Sequence, residues 1–191
     1  MEFISVFWLV VAVIVLGVLG YFISCYNNYV QLRNNIRKSF KNIDVLLKQR
    51  YDEVPNLVAV CKGYIQHESG VFTKIAMIRS KYNDAKDIDK RTGVENELTG
   101  QISSLFATVE NYPQLKADTQ YLFLQNKLHE LESAIADRRE YFNDSVNIYN
   151  VSIERFPDRI IALILGLKRH SFLSIPENEK KPLSAVFAEK R

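Results

Sequence analysis

The chain has 191 residues, with 25 Lys and Arg against 22 Asp and Glu, for a formal net charge of +3. Both signs are mixed along its length, which excludes a strongly basic nucleic-acid surface, and no nucleic-acid motif accompanies the charge. Its two cysteines exclude a disulfide framework.

From Phe3 to Ile23 there is no charged side chain and no proline. At about 1.5 Å per residue this run covers roughly 30 Å as a helix, the thickness of a bilayer's hydrocarbon core. A helix satisfies its own backbone hydrogen bonds and can cross where water is absent. Trp8 lies toward one end and Tyr21 and Tyr26 at the other, as interfacial aromatic belts require. The pattern predicts a transmembrane helix over 3–23 behind a two-residue N-terminus, 1–2. A cleaved secretory signal fits less well, because the start lacks Lys and Arg and the apolar run is too long. Phe22-Ile23-Ser24-Cys25 resembles a lipid-attachment box loosely, so Cys25 is read as an ordinary boundary thiol, with its lipidation as the alternative. Arg33, Arg37, Lys38 and Lys41 follow the apolar run closely. The positive-inside rule therefore puts the N-terminus outside and the C-terminal domain in the cytoplasm.

Beyond Tyr26, apolar residues recur at threes and fours up to Phe156, and Pro and Gly are sparse, which predicts helices throughout. The first segment carries Tyr29, Leu32, Ile36, Phe40, Ile43 and Leu47, continuous with the anchor. Pro55, preceded by Asp52 and Glu53, favours a turn there, with a kinked continuous helix as the alternative. A second segment carries Leu57, Cys61, Tyr64, Val71, Ile75, Ile78 and Tyr82, and fades into a polar linker, 83–91. Thr92 with Glu95 reads as the capping box of a third helix, whose stripe is Val94, Leu98, Ile102, Leu105, Val109 and Tyr112. Pro113 stops it. Asp118 starts the fourth and longest helix, with Tyr121, Leu128, Ile135, Phe142, Tyr149 and Phe156 at seven-residue steps. Its second row, Leu124 and Leu131, breaks at Arg138, and Val146 and Ile153 resume the stripe on a neighbouring face. A broken second row favours packing within one domain over a pure coiled coil. The expected fold is all-α: an N-terminal transmembrane helix followed by an up-and-down, antiparallel four-helix bundle over 26–167, with a flexible tail over 168–191.

No catalytic, cofactor or metal constellation emerges. His67-Glu68 begins like a zinc-protease motif, but the second His one helical turn on is missing. Asn143-Asp144-Ser145 and Asn150-Val151-Ser152 match glycosylation sequons but fall inside a helix of a domain expected in the cytoplasm, and are read as chance. The run Ile160, Ile161, Ala162, Leu163, Ile164, Leu165, Gly166 and Leu167 is too short to span a bilayer and is followed by Lys168 and Arg169. In an up-and-down bundle this run returns next to the anchor. It reads as a shallow membrane contact or a self-association patch, or else as a short helix that caps the bundle core.

Three blocks of residues carry a family resemblance. The first holds Asp44-Val45, Arg50-Tyr51-Asp52, Val54-Pro55-Asn56-Leu57-Val58 and Lys62-Gly63-Tyr64, ending at His67-Glu68. The second holds Glu95-Asn96-Glu97-Leu98-Thr99-Gly100 and Tyr112-Pro113-Gln114-Leu115-Lys116-Ala117. The third holds Leu124-Gln125, Leu128, Ile135, Arg139, Tyr149-Asn150 and Phe156-Pro157. From about Tyr26 to Gly166 the chain resembles the LemA family. The resemblance implies an N-terminally anchored helical bundle in a bacterial membrane, with no established enzymatic activity; the expected location is the bacterial cytoplasmic membrane. Some members are lipoproteins with a Cys just before Tyr-Asn, as in Cys25-Tyr26-Asn27. The C-terminus departs from the pattern, since Ile164-Leu165-Gly166-Leu167 stands where Phe-Gly-Phe is usual.

These readings converge on a non-enzymatic membrane scaffold whose expected partners are membrane lipids, further copies of itself and membrane proteins, with no nucleic acid, cofactor or small-molecule substrate. The alternative is a regulatory adaptor of a membrane enzyme or protease. An enzyme whose site is assembled from distant residues is a third class.

Overall fold

A computed structural model describes residues 2–65, 69–84 and 88–173. They form six helices: α1 (Glu2–Lys62), α2 (Ser69–Asp84), α3 (Ile88–Val109), α4 (Pro113–Lys116), α5 (Thr119–Glu154) and α6 (Asp158–Ile164). No strand occurs among the described residues, so the protein is all-α. Two compact units divide the described residues: 2–43 with 137–173, and the described part of 44–136.

Pro55 does not make the expected turn. It lies inside α1, which runs unbroken through anchor, first stripe and proline. A mid-helix proline costs about 3 kcal/mol by deleting a backbone hydrogen bond and crowding the preceding turn. Val54 and Leu57 flank it and are fully packed in the core. Burial of each such side chain contributes about 1.5–3 kcal/mol, enough to carry the helix over the proline. The break comes instead after Lys62, where the Gly63 and Tyr64 amides bond back to the Val60 and Cys61 carbonyls at 3.2 and 3.1 Å. The expected second segment is thereby split between α1 and α2.

The third helix also begins before its expected cap. α3 starts at Ile88, within the expected polar linker, so Thr92 lies inside it. Glu95 lies in the interior and not at a helix start. Its side chain is buried, with Oε1 3.7 Å from Nη1 of Arg50. Pro113 supplies the first turn of α4, where its missing N–H costs nothing. The start of α5 matches the expectation: Asp118 Oδ1 accepts the backbone N–H groups of Gln120 at 2.8 Å and Tyr121 at 2.9 Å. These bonds, the Tyr121 amide first, hold the Asp118 carboxyl below the usual range.

The unit built on 44–136 has a continuous apolar core. α1 supplies Val54, Leu57 and Cys61, α2 supplies Phe72, Ile75 and Ile78, α3 supplies Leu98, Ile102 and Leu105, α4 supplies Leu115, and α5 supplies Tyr121, Leu124 and Leu128. Tyr51 stacks on Tyr82 with ring centroids 3.8 Å apart. Within this apolar surround sits Arg50, as buried as Glu95. Its Nη2 also reaches Oε1 of the half-buried Glu132 at 3.3 Å. Burial pushes the Cys61 thiol up to about 11.

In the other unit α1 and the end of α5 run antiparallel. Phe40 meets Phe142 with centroids 6.1 Å apart, and further down α1 the Tyr29 hydroxyl reaches the carbonyls of Ser152 and Asp158 at 3.5 and 2.9 Å. Phe142, Val146, Tyr149 and Ile153 of α5 are buried as their stripe requires. Phe156 departs from it: α5 ends at Glu154, and Phe156 is 79% exposed on the turn that follows.

Candidate membrane-anchoring site

Phe3–Ile23 is uncovered along its length. The most apolar 18-residue window of α1 has a mean hydropathy of 2.8 and is 0% buried, so the helix is long and apolar enough to cross a membrane. Trp8, Tyr21 and Tyr26 are all exposed.

At the end of this apolar segment, α1 carries Tyr21, Cys25 and Tyr29, four residues apart and therefore on one helix face. All three reach Asp158, the first residue of α6. The Tyr21 hydroxyl donates to Asp158 Oδ1, the Cys25 thiol donates to the same oxygen at 3.2 Å, and the Tyr29 hydroxyl donates to the Asp158 carbonyl. Cys25 and Tyr29 are buried by this contact, and desolvation pushes both groups above their ordinary pKa ranges. One carboxylate thus fixes the start of α6 beside the last turns of the apolar segment.

The rest of α6 divides into two faces. Ile161 and Ala162 point inward and are buried. Ile160, Leu163 and Ile164 point outward, with Leu163 and Ile164 70% and 71% exposed. Leu165 and Leu167 are half-buried. Gly166 closes the helix at φ +63, a left-handed conformation that a Cβ disfavours. Its N–H bonds the Leu163 carbonyl and the Leu167 N–H bonds the Ala162 carbonyl, the pair that defines a Schellman stop. Four cationic side chains lie close to this run in sequence, Arg155, Arg159, Lys168 and Arg169, all exposed. Arg169 is also paired with Glu154 at 3.1 Å.

Of the run expected to make an outward contact, Ile160, Leu163 and Ile164 are exposed, Leu165 and Leu167 are half-buried, and Ile161 is buried instead because it packs inward with Ala162. Sequence reasoning missed what holds the run. Asp158 was passed over, although hydrogen-bonding side chains spaced by four on an otherwise apolar helix are a readable signal that a polar partner packs there. Asn143 and Asn150, set aside as chance sequons, bond the backbone of residues 170 and 173 at the start of the expected tail. His67 and Glu68, and the tail from residue 174 onward, lie outside the described residues.

Two surface grooves occur in the unit built on 44–136. One, of about 610 Å³, is lined by Glu53, Asn56, Val60, Phe123 and Lys127 among others. The other, of about 320 Å³, is lined by Val54, Pro55, Phe72, Ile75, Lys62 and Arg79 among others. Neither lining includes Ser, Cys or His. Among the described residues no group of three His, Cys, Asp or Glu is placed to hold a metal.

A family model described as LemA family matches residues 39–187, well over half of the chain. The chain is 25% identical to magnetosome protein MamQ 2 of Paramagnetospirillum magneticum, over 77% of this chain and 64% of that protein. It is 25% identical to magnetosome protein MamQ of Magnetospirillum gryphiswaldense over 75% of this chain and 62% of the relative. It thus spans just under two thirds of these relatives' length. Protein LemA of Metamycoplasma hominis is also 25% identical, over 91% of this chain and 80% of its own.

Proposed function

The chain belongs to the LemA family, and from that premise we propose that it is a non-enzymatic membrane scaffold. A single spanning helix anchors it in a bacterial cytoplasmic membrane, α6 forms a second, shallow contact with the same membrane, and the chain associates with further copies of itself. The observation that carries this reading is the outward apolar face of α6, fixed by Asp158 beside Tyr21 and Cys25 at the end of the apolar segment. An outward apolar face flanked in sequence by cations is the composition of an interfacial membrane helix. Each Lys or Arg near an anionic leaflet adds about 1 kcal/mol. Arg33, Arg37, Lys38 and Lys41 are exposed just beyond the apolar segment and support a cytoplasmic C-terminal domain. The long helical segments that share one core support an antiparallel four-helix bundle as the scaffold's body.

The test places an environment-sensitive fluorophore at residue 164 of the full chain, through Ile164→Cys with Cys25 and Cys61 replaced by Ala, in vesicles containing brominated lipids. The reading expects lipid quenching at 164 and none at the exposed Asn147 of α5. A label at 164 quenched only by aqueous iodide overturns the shallow contact.

A further inference from the structure

Residues 167–173 leave α6 without helix or strand, and two asparagines of α5 hold their backbone. Asn150 Nδ2 donates to the His170 carbonyl at 2.9 Å, while its Oδ1 accepts the His170 N–H at 2.9 Å. Two turns earlier, Asn143 Nδ2 donates to the Leu173 carbonyl at 3.1 Å and its Oδ1 accepts the Leu173 N–H at 2.9 Å. Seven helical residues advance about 10 Å, and three extended residues also advance about 10 Å. The two repeats therefore match, and the segment runs antiparallel to α5. Each carboxamide offers one donor and one acceptor to one residue, which is what a neighbouring β-strand would offer.

Side-chain contacts mark one end of the segment. Glu154 takes Arg169 at 3.1 Å, and the His170 and Tyr149 rings meet edge to face with centroids 5.0 Å apart. The ligand class is thus an extended peptide with Arg-His at its start, read by backbone at two positions three residues apart.

We propose that α5 carries a docking rail for such a strand, and that its partner in trans is the same segment of a second copy, exchanged about Gly166. The chain's own segment is seated on the rail and has the charge that Glu154 complements. Exchange between copies makes the same contacts in trans as in cis, so it costs little beyond association itself. This inference rests on the self-associating scaffold reading, to which it gives a route.

The test uses two full-length chains with different tags, co-expressed and extracted in mild detergent. One carries Asn143→Ala and Asn150→Ala. The other carries His170→Pro and Leu173→Pro, which remove the N–H groups that the rail accepts. The mixed pair keeps one intact rail and one intact strand, and should co-purify at least about tenfold better than either variant with itself. A second pair avoids buried positions: Glu154→Arg in one chain and Arg169→Glu in the other, so that like charges oppose cis pairing while trans pairing is restored. Enrichment of both mixed pairs supports the rail. Mixed pairs no better than matched ones overturn it, and the wild-type chain's own cross-linked size then decides the scaffold reading separately: oligomers leave that reading standing, and a monomer removes both.

Discussion

Replacing Arg50 with Met should destabilise the protein more than replacing Arg50 and Glu95 together. The guanidinium and the Glu95 carboxylate are each 3% exposed in their side chains, so neither charge is solvated by bulk water. Removing one partner of such a pair takes away the cation that faces the remaining buried carboxylate, at a cost of about 3–5 kcal/mol. Glu132 is 33% exposed and retains water when the guanidinium is lost, so its share is smaller, under about 1 kcal/mol. The 3.7 Å separation is long, and Arg50 Nε has no hydrogen-bond partner among the described residues, so the intact pair is itself imperfectly compensated. Apolar replacement of both residues should therefore come within about 1 kcal/mol of the wild type, or exceed it. For a chain of this size 1 kcal/mol moves Tm by about 2–4 °C, so Arg50→Met alone should lower it by roughly 6–20 °C. Thermal unfolding of the full chain in detergent, followed by circular dichroism, reads the difference. A double variant that melts below Arg50→Met would refute the reasoning, because the pair would then be a net source of stability.

Cys61, fully buried with its thiol pushed up to about 11, should resist alkylation at pH 8 in the folded chain and react once the chain is unfolded, as mass spectrometry will register. Glu53 has its pKa lowered, chiefly by its hydrogen bond from Lys127, so its contribution is present above the unfolded carboxylate range and is lost as pH falls through the folded value. The difference in Tm between wild type and Lys127→Met should accordingly shrink on acidification below about pH 4; a constant difference across that range contradicts the pairing. Gly166→Ala forces an L-residue to φ +63, which costs about 1–2 kcal/mol, and should speed hydrogen exchange at the Leu167 amide. Asp158→Asn keeps an acceptor but removes the charge that Tyr21 and Cys25 share, and should loosen α6, detected as faster tryptic cleavage after Arg159.

Periodicity made much of this fold legible. The rows Tyr121, Leu128, Ile135, Phe142 and Tyr149 are buried along one helix face as their spacing requires, because burial of large side chains outweighs local propensity. The same dominance explains the failures. Pro55 and the Thr92–Glu95 box are local signals, each overruled by the side chains around it: Val54 and Leu57 carry α1 past the proline, and Arg50 faces Glu95 inside the core. The apolar α6 run was readable because it breaks the polar character of a surface segment. The spacing of Tyr21, Cys25 and Tyr29 signals a polar partner but does not say which, and Asp158, like Asn143 and Asn150 on the segment after α6, acts on partners 133, 30 and 20 residues away along the chain. No local pattern encodes such pairings.

Cross-linking of the full chain in its native membrane, followed by sizing of the product in mild detergent, tests the scaffold account most directly. The account predicts a ladder of cross-linked multiples of the 22.1 kDa chain and a purified species that contains this chain alone. A single copy bound in fixed stoichiometry to a different membrane protein would contradict it and favour an adaptor.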